Sequence, residues 1–488
     1  MSEGREIVVD PITRLEGHGK ITIFLDEKGN VKRAYFQLPE LRGFEIFCLG
    51  REAEDMPIIT PRICGVCPSA HHMASTKATD DLYKVDPPST AKKIRELFYN
   101  LFMCEDHLLH IYILAGPDFL VGPKAPKAER NVIGIIKRFK DVALKLIKVR
   151  KDIRDIMQLI GGKPIHPVLG VPGGVTKQIT EEDRKKIVEV GKETLDFALL
   201  THKIFKDLME KNEEVRKIMF SEAYREETYY MGLVDDKNRV NFYDGKIRVV
   251  DPKGNEHAKF DVHDYVEYIA EHVEPWTYMR MPFLRKIGWA GLKDGPDSGI
   301  YCVAPLARLN AADGMATPRA QEAYEELYEL YGERPIHYTM AFHLARVVET
   351  IYSAERVIEL AEDPEITDPN IRTLPTETPS VGIAVVEAPR GTLIHHYETD
   401  EKGLLTKVNL IVATQQNNPR ICLDIDKAAK AFIKEGKVDE GILNMIEMAF
   451  RAYDPCHACG THSVPGTIPL VIEIYDNKRK LIKKISNF

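Results

Sequence analysis

TPRICGVCPSAHH (residues 60–72) and AYDPCHACGTHSVPG (residues 452–466) each carry a Cys-x-x-Cys pair, and 389 positions separate Cys67 from Cys456. Such a pair puts two thiols within reach of one soft metal ion, and thiolates select zinc, nickel, copper or iron–sulfur clusters over magnesium or calcium. Three uses compete. Structural four-cysteine zinc is the commonest use of two pairs, but its pairs usually lie close in sequence, not at the two ends of a large chain. A thioredoxin-like dithiol needs one pair in a βαβ setting, which the surrounding pattern lacks. The third use is a catalytic metal site assembled from both ends.

The neighbours favour the third. His71 lies four residues after Cys67, His462 three after Cys459, Asp454 two before Cys456 and Arg62 two before Cys64. A structural zinc site needs none of these, whereas a reactive metal needs oriented donors and a proton path around its ligands. The remaining cysteines, Cys48, Cys104, Cys302 and Cys422, stand singly in apolar or mixed segments and read as small buried thiols.

The chain has 488 residues, 44% hydrophobic and 29% charged, with net charge −7 and a pI near 6.2. Nothing in this balance is an electrostatic footprint for nucleic acid. The basic stretch KRFKDVALKLIKVRKDIRD (137–155) mixes acids and apolar residues and reads as one solvated helix face. No apolar run reaches the roughly 18 residues of a membrane span, and the N-terminus MSEGREIVVDPITRLEGHGK is no signal peptide. Both argue for the cytoplasm.

Strand character appears in EIVVD, KITIFL and VKRAYF within residues 6–36, the last two joined by the turn DEKGN. A helix is expected from Ser89 as N-cap to near Pro117, a second over 128–160, and a third from Thr180, with Asp183 at capping-box spacing, to about 218. A strand-rich insert is expected over 228–262, with hairpin turns at its DG and KG pairs. A helical stretch over 318–362, interrupted at Pro335, precedes strands in 380–413 (VGIAVVEAP, VNLIVA). Helices at 425–434 and 438–452 lead to the second cysteine pair. The pattern is α+β and predominantly helical: a core of long helices, small β elements near the N-terminus and a β insert. With no repeat or flexible linker, residues 1–488 read as one domain.

At the two cysteine motifs the chain resembles the large, catalytic subunit of nickel–iron hydrogenases. RICGVCPSAH and DPCHACGTH are similar to that family's two nickel-binding motifs. DPITRLEGHGKI (10–21), RGFE (42–45), GGKPIHPVLGVPGG (161–174), FYDGKIRVVD (242–251), PLARLN (305–310) and VEAPRGTLIHHY (386–397) look like family segments in the family's order. The resemblance implies that fold and the reversible heterolytic cleavage of dihydrogen. It implies that Cys64, Cys67, Cys456 and Cys459 bind nickel, with Cys67 and Cys459 bridging to an iron that carries carbon monoxide and cyanide. His71 matches a histidine hydrogen-bonded to a bridging thiolate, and Glu16 the proton-transfer glutamate. Glu45 and His462 match ligands of a magnesium site, or iron in its place. Arg390 matches an arginine over the open face of the metals, positioned by Asp106 and Asp454, and Pro389 lines the pocket of the diatomic ligands. His107 and His110 read as core or support histidines.

RLEGHGK, YCVAPLARLN and VVEAPRGTLIHHYETD look most like the soluble multi-subunit branch, in particular the heterodisulfide-reductase-linked, methyl-viologen-reducing type of methanogens. The chain has no GxGxxG fingerprint and no spare cysteine set for an iron–sulfur cluster. The resemblance therefore implies a small subunit carrying clusters, and a further electron-transfer subunit, heterodisulfide reductase being the candidate. It also implies a maturation protease that removes residues 463–488 by cutting between His462 and Ser463. The rival readings are a zinc-stapled scaffold and a hydrogen-sensing relative without significant turnover.

Overall fold

The computed structural model describes residues 6–463, 471–475 and 481–486. Its core is a bundle of long helices: Ser89–Leu109, Lys140–Gly161, Glu181–Lys211 and Phe342–Glu362. The last of these packs on both Ser89–Leu109 and Glu181–Lys211 and is buried around most of its circumference. Glu181–Lys211 starts as expected: Thr180 Oγ1 accepts from the Asp183 N–H at 3.1 Å, and Asp183 Oδ2 accepts from the Thr180 N–H at 3.1 Å. No helix among the described residues is long and apolar enough to cross a membrane.

Several expected boundaries move. Ser89 is the first helical residue and Pro88 takes the cap position. The chain does not stop near Pro117, because two π-helical turns, His110–Leu114 and Pro117–Val121, carry it on to Gly122. The helix expected over 128–160 is two, Val132–Arg138 and Lys140–Gly161, broken at the non-helical Phe139. The third helix ends at Asn212, whose side chain caps a separate helix, Glu213–Met219. The stretch 318–362 splits at Gly332, a left-handed C-cap, before Pro335 is reached. The helix expected at 425–434 begins twelve residues earlier, as Ala413–Phe432, with Pro419 inside its polar first half.

The β elements surround this bundle. Glu6–Val9, Lys20–Leu25 and Val31–Gln37 form an antiparallel meander, with Glu6 opposite Phe24 and Lys20 opposite Gln37. The insert holds Tyr229–Val234, Lys246–Val250 and Glu256–Phe260 as expected, and borrows a fourth, parallel strand, Tyr301–Cys302. Its apolar face (Met231, Ile247, Val249, Phe260) packs on Ile383, Val385 and Ile394 of another sheet.

That sheet is made of Val381–Ala388, Gly391–Thr399 and Leu405–Ile411. Its first hairpin turns through Pro389 and Arg390 alone, since Ala388 pairs with Gly391. Gly391 has φ +130°, and a Cβ there would lie 2.2 Å from the Val303 carbonyl oxygen, so only glycine closes this turn. Helix Pro68–Leu82 packs across strand Val381–Ala388.

Candidate metal centre

Both cysteine pairs sit where chain direction changes. Cys67 caps the N-terminus of helix Pro68–Leu82, and Cys456 precedes the short turn His457–Gly460. The N–H groups of Val66 and Cys67 point at Cys64 Sγ, each at 3.2 Å. Oriented N–H groups and the positive end of a helix favour thiolate over thiol. The four sulfurs converge: Cys64 to Cys456 at 3.2 Å, Cys67 to Cys459 at 3.3 Å, Cys456 to Cys459 at 2.8 Å and Cys67 to Cys456 at 4.0 Å. All four are buried, and all four sulfurs lie within 4.8 Å of one another. Among the described residues no other group of histidine, cysteine and carboxylate side chains converges in this way.

Their electrostatics need a cation. Burial pushes the Cys64 thiol up, but hydrogen bonds from Cys456, Cys459 and Cys67 outweigh it and hold Cys64 well below the ordinary thiol value. Burial drives Cys456 and Cys459 well above it. One thiolate forms readily in this dry site, and four together require soft metal charge. A small cavity against Cys67, Cys456 and Cys459 is walled by Ala388, Leu393 and Val412, with Arg390 at its edge. Donor set and cavity fit a metal pair with small, neutral or anionic ligands on one side.

The N-terminal segment reaches the same place. Glu16 forms a parallel bridge with Cys456, and the His457 N–H donates to the Glu16 carbonyl at 3.0 Å. Gly17, at φ +85°, permits this approach, since a Cβ would lie 2.9 Å from the His457 Cβ. Glu16 Oε2 accepts from Cys456 Sγ–H and from the Ala458 N–H, both at 3.0 Å. Burial and the neighbouring Cys64 thiolate raise the carboxyl's pKa, against the pull of those two hydrogen bonds. On another side, His71 Nε2 lies 3.4 Å from Cys459 Sγ, and His71 Nδ1 faces His395 Nε2 at 3.1 Å.

Arg390 projects from its two-residue turn between two carboxylates. Its Nη2 lies 2.8 Å from Asp454 Oδ2 and 3.2 Å from Asp106 Oδ1, and its Nε donates to the Asp454 carbonyl at 2.5 Å. Burial pushes Asp106 up to about 7; burial opposes ionisation of Asp454 too, but Arg390 and His110 outweigh it there and keep that carboxylate ionised. His110, read as a support histidine, is 3.1 Å from Asp454 Oδ1. Pro389 offers its carbonyl to Arg308 Nη2 at 3.2 Å.

Glu45 and His462 also meet. Glu45 Oε1 is 3.5 Å from His462 Nε2, and the Leu410 carbonyl oxygen is 2.6 Å from the same nitrogen. The Glu45 N–H donates to the His462 carbonyl at 3.2 Å, so the RGFE segment grips the end of the second motif directly. A carboxylate, a carbonyl and an imidazole nitrogen converging at this spacing suit a cation with a preference for oxygen.

The structure brings Cys64, Cys67, Cys456, Cys459, Glu16, His71, Arg390, Asp106, Asp454 and His110 into one cluster and Glu45 with His462 into a second, joined by residues 459–462; Arg62 is exposed and stays outside both, and His107 lies in the charge network below. It adds groups the motifs did not mark: the Leu410 carbonyl, Thr414, whose Oγ1 accepts from the Cys456 N–H at 3.0 Å, and His395. Beneath Pro389 lies a buried charge network. Arg308 binds Glu349 through Nε and Nη2, both at 2.6 Å, reaches Glu387 at 3.0 Å and holds the Ala388 carbonyl at 2.7 Å. His107, the other support histidine, contacts Glu349 at 2.9 Å.

The family model for nickel-dependent hydrogenase matches residues 42–138 and 297–462, and one described as HoxL-like matches residues 6–41. The chain belongs to the nickel-dependent hydrogenase family. It is similar to an iron-sulfur subunit of the F420-non-reducing hydrogenase of Archaeoglobus profundus, at 49% identity over 99% of this chain and 100% of that protein. The NAD-reducing hydrogenase HoxS subunit beta of Cupriavidus necator is 36% identical over 98% of this chain and 99% of its own length. The crystal structure of an NAD+-reducing [NiFe]-hydrogenase in the H2-reduced state superposes with a TM-score of 0.88 at 35% identity, covering 94% of this chain and 99% of that one. The Ni-Fe-Se hydrogenase from D. vulgaris Hildenborough shares the fold, with a TM-score of 0.73 at 23% identity. This hydrogenase chain is therefore a nickel–iron catalytic subunit, an oxidoreductase acting on dihydrogen, and its four-cysteine cluster is the metal site.

The Arg308 network generates a stability prediction. Replacing Glu349 with Gln leaves the buried Arg308 charge undercompensated and should cost about 3 kcal/mol. Denaturant unfolding of the purified chain measures it; a loss below about 0.5 kcal/mol, the size of an ordinary surface change, would show that Glu387 alone satisfies Arg308.

Proposed function

We propose that the chain works as one unit in which Cys64, Cys67, Cys456 and Cys459 would hold nickel, Cys67 and Cys459 would be the thiolates shared with iron, and Glu16 moves the proton. The observation that carries this reading is the contact of Glu16 Oε2 with Cys456 Sγ at 3.0 Å inside the four-sulfur cluster. When bound, the metal pair supplies heterolytic cleavage of dihydrogen and accepts the electrons. Glu16 then takes the proton from Cys456 Sγ onto Oε2. Its raised pKa suits a group that must both accept and release at working pH. Because Glu16 is only partly buried and Gly17 and His18 are exposed, the proton has a short way out.

Arg390 presents a fixed cationic fork at the edge of the cavity, oriented by Asp106 and Asp454. That charge suits cyanide on the iron, and the apolar walls Ala388, Leu393 and Val412, with Pro389 in the adjoining turn, suit carbon monoxide. Glu45, His462 and the Leu410 carbonyl suit magnesium, or iron in its place. His71 donates to the Cys459 thiolate.

Electrons leave through a partner. Cys48, Cys104, Cys302 and Cys422 are buried singly and form no cluster site. Cys64 is one residue from the exposed Gly65 and two from the exposed Arg62. Arg42 Nη1 donates to the Ile63 carbonyl at 2.6 Å, and the short helix that follows Arg42 exposes the apolar Ile46 and Phe47. A surface of this kind fits a small subunit bringing an iron–sulfur cluster close to Cys64. Relatives named F420-non-reducing hydrogenase support an acceptor other than F420; heterodisulfide reductase as the downstream partner rests on the sequence resemblance. The absence of a nucleotide fingerprint in this chain leaves acceptor binding to other subunits, in the cytoplasm.

The tail read as a propeptide, residues 463–488, contains the strands Val471–Tyr475 and Leu481–Ser486, paired with each other; Ile468 and Leu470 lie outside the described residues. Ile474, Leu481, Ile482 and Ile485 are exposed, whereas His462 and Ser463 are fully buried. A protease that cuts between His462 and Ser463 must act before this end is seated; because Cys456, Cys459 and His462 are already seated with the tail attached, its removal would make closure irreversible rather than permit it.

Three outcomes test this reading. Metal analysis of the purified complex should find nickel in near-equal amount with this chain, and Cys67→Ser should lose it with all dihydrogen uptake, because serine cannot bridge as a thiolate does; zinc alone in the wild type would favour the scaffold. Glu16→Gln should keep the metals and lose turnover by on the order of 100-fold or more, and a wild-type rate would send the proton elsewhere. Intact mass spectrometry of active enzyme should show a chain ending at His462; a mass that includes residues 463–488 would make the hairpin part of the working protein.

A further inference from the structure

Behind His71 runs a line of polar groups for which dihydrogen chemistry has no evident need. His71 Nδ1 faces His395 Nε2 at 3.1 Å, His395 Nδ1 faces Tyr397 Oη at 2.5 Å, and Tyr397 Oη lies 3.0 Å from Ser75 Oγ. His71 and Ser75 are one turn apart on helix Pro68–Leu82, and His395 and Tyr397 are two apart on strand Gly391–Thr399. Every member is at most 1% exposed. The Thr60 hydroxyl also borders this end, but donates its hydrogen to the Met56 carbonyl at 2.8 Å. Among the described residues no carboxylate is hydrogen-bonded to either ring. The line starts at Cys459 Sγ and reaches no solvent, so it is not an exit path.

Hydrogen-bond arithmetic gives it a different role. A neutral imidazole has one N–H and one acceptor nitrogen, and a hydroxyl has one hydrogen. The groups are therefore coupled: fixing one donor fixes all. If Cys459 is a metal-bound thiolate, it can only accept. His71 Nε2–H must donate to it, so His71 Nδ1 accepts from His395 Nε2–H, and His395 Nδ1 accepts from Tyr397 O–H. The Tyr397 O–H, which donates to Ser75 Oγ at 3.0 Å in this structure, then turns to His395 instead. If Cys459 carries its proton, every bond in the line reverses and Tyr397 donates to Ser75. Both arrangements give each nitrogen of the two rings a complementary partner; a mixed one leaves two lone pairs or two hydrogens facing each other without water to relieve them.

We propose that His395, Tyr397 and Ser75 are positioning residues that set which nitrogen of His71 carries its hydrogen, and thereby how strongly the Cys459 thiolate is stabilised in the loaded enzyme. Tyr397, two side chains away from Cys459, acts as the polarising end: with its O–H committed to His395, His71 is locked as a donor to sulfur. A donor on a metal-bound thiolate withdraws charge from it, which raises the reduction potential of the metal it serves. Tyr397→Phe removes only the hydroxyl. It leaves His395 Nδ1 bare in the donor arrangement, weakens that arrangement and should shift the nickel couple to a more negative potential. This inference rests on the reading of Cys459 as a nickel–iron ligand.

The experiment compares wild-type, Tyr397→Phe, His71→Gln and double-variant complexes. Nickel content, the electron paramagnetic resonance of nickel and its midpoint potential in a redox titration are measured on each. The expected result is full nickel content in Tyr397→Phe with altered g-values and a more negative midpoint. In the His71→Gln background the same substitution should change neither, because the connection to sulfur is already cut. An unchanged nickel signal and midpoint in Tyr397→Phe overturns the proposal, and so does a shift that persists undiminished in the double variant. Should Tyr397→Phe fail to retain nickel, Ser75→Ala, which removes one hydroxyl from the far end of the line, is judged by the same two criteria. A wild-type complex without any nickel signal refutes the metal reading itself, a different failure.

Discussion

Four thiolate donors held within 4.8 Å of one another, away from water, repel each other strongly unless metal charge lies between them. The fold has to supply that geometry before or while the metals arrive, from residues that begin 389 positions apart in the chain. It does so by making three chain ends coincide. Helix Pro68–Leu82 starts at Cys67, helix Ala413–Phe432 starts beside Thr414, and the Pro389–Arg390 turn closes the intervening sheet. Helix N-termini present unpaired N–H groups and a partial positive charge, and Arg390 adds a full one. These groups support one thiolate, at Cys64, while Asp106 and Asp454 offset Arg390 and burial holds Cys456 and Cys459 in the thiol form, so the remaining negative charge depends on metal.

Holding Arg390 and Glu16 against the cluster takes buried charge, which is expensive and is kept where it fixes geometry. Asp118 shows how. It lies in the π-helical turn Pro117–Val121 and binds Arg14 at 2.5 Å and Arg451 at 2.7 Å. Arg14 stands two residues before Glu16, and Arg451 five before Cys456. One carboxylate therefore ties the two strands whose bridge brings Glu16 to Cys456. The irregular turn that carries the helix past its expected end is what places Asp118 there. Arg308 performs the matching task under Ala388 and Pro389, on the other flank of Arg390.

The parts legible in the sequence are those whose local chemistry decides them. The Thr180–Asp183 capping box and the DEKGN turn appear where local chemistry places them, and the long amphipathic helices appear with their ends shifted. Strand Gly391–Thr399 carried no alternation to read, because seven of its nine residues, Gly391 to Tyr397, are buried on both faces. Ala413–Phe432 begins ATQQNNPR, which looks like a loop. Those polar residues are nonetheless buried, spent on the backbone near the site: Asn417 Nδ2 donates to the Arg390 carbonyl at 2.9 Å. Motif reading found the charged and metal-binding side chains because their chemistry is distinctive. It could not find a carbonyl such as that of Leu410, or a hydroxyl such as Thr414, which acts only through position.

The polar groups around the cysteines divide by whether they meet water. Glu16 is partly exposed, touches Cys456 and adjoins the exposed Gly17 and His18, so a proton taken there can be handed on. His71, His395, Tyr397 and Ser75 touch Cys459 and end in the core. A closed line cannot carry net charge without leaving an ion in a low-dielectric interior, at a cost no hydrogen bond in it could offset. It can only reverse its polarity. On the proposed reading, a thiolate with a polar neighbour is therefore a proton path at Cys456 and a reversible hydrogen-bond dipole at Cys459. What separates them is the depth at which each neighbour is buried.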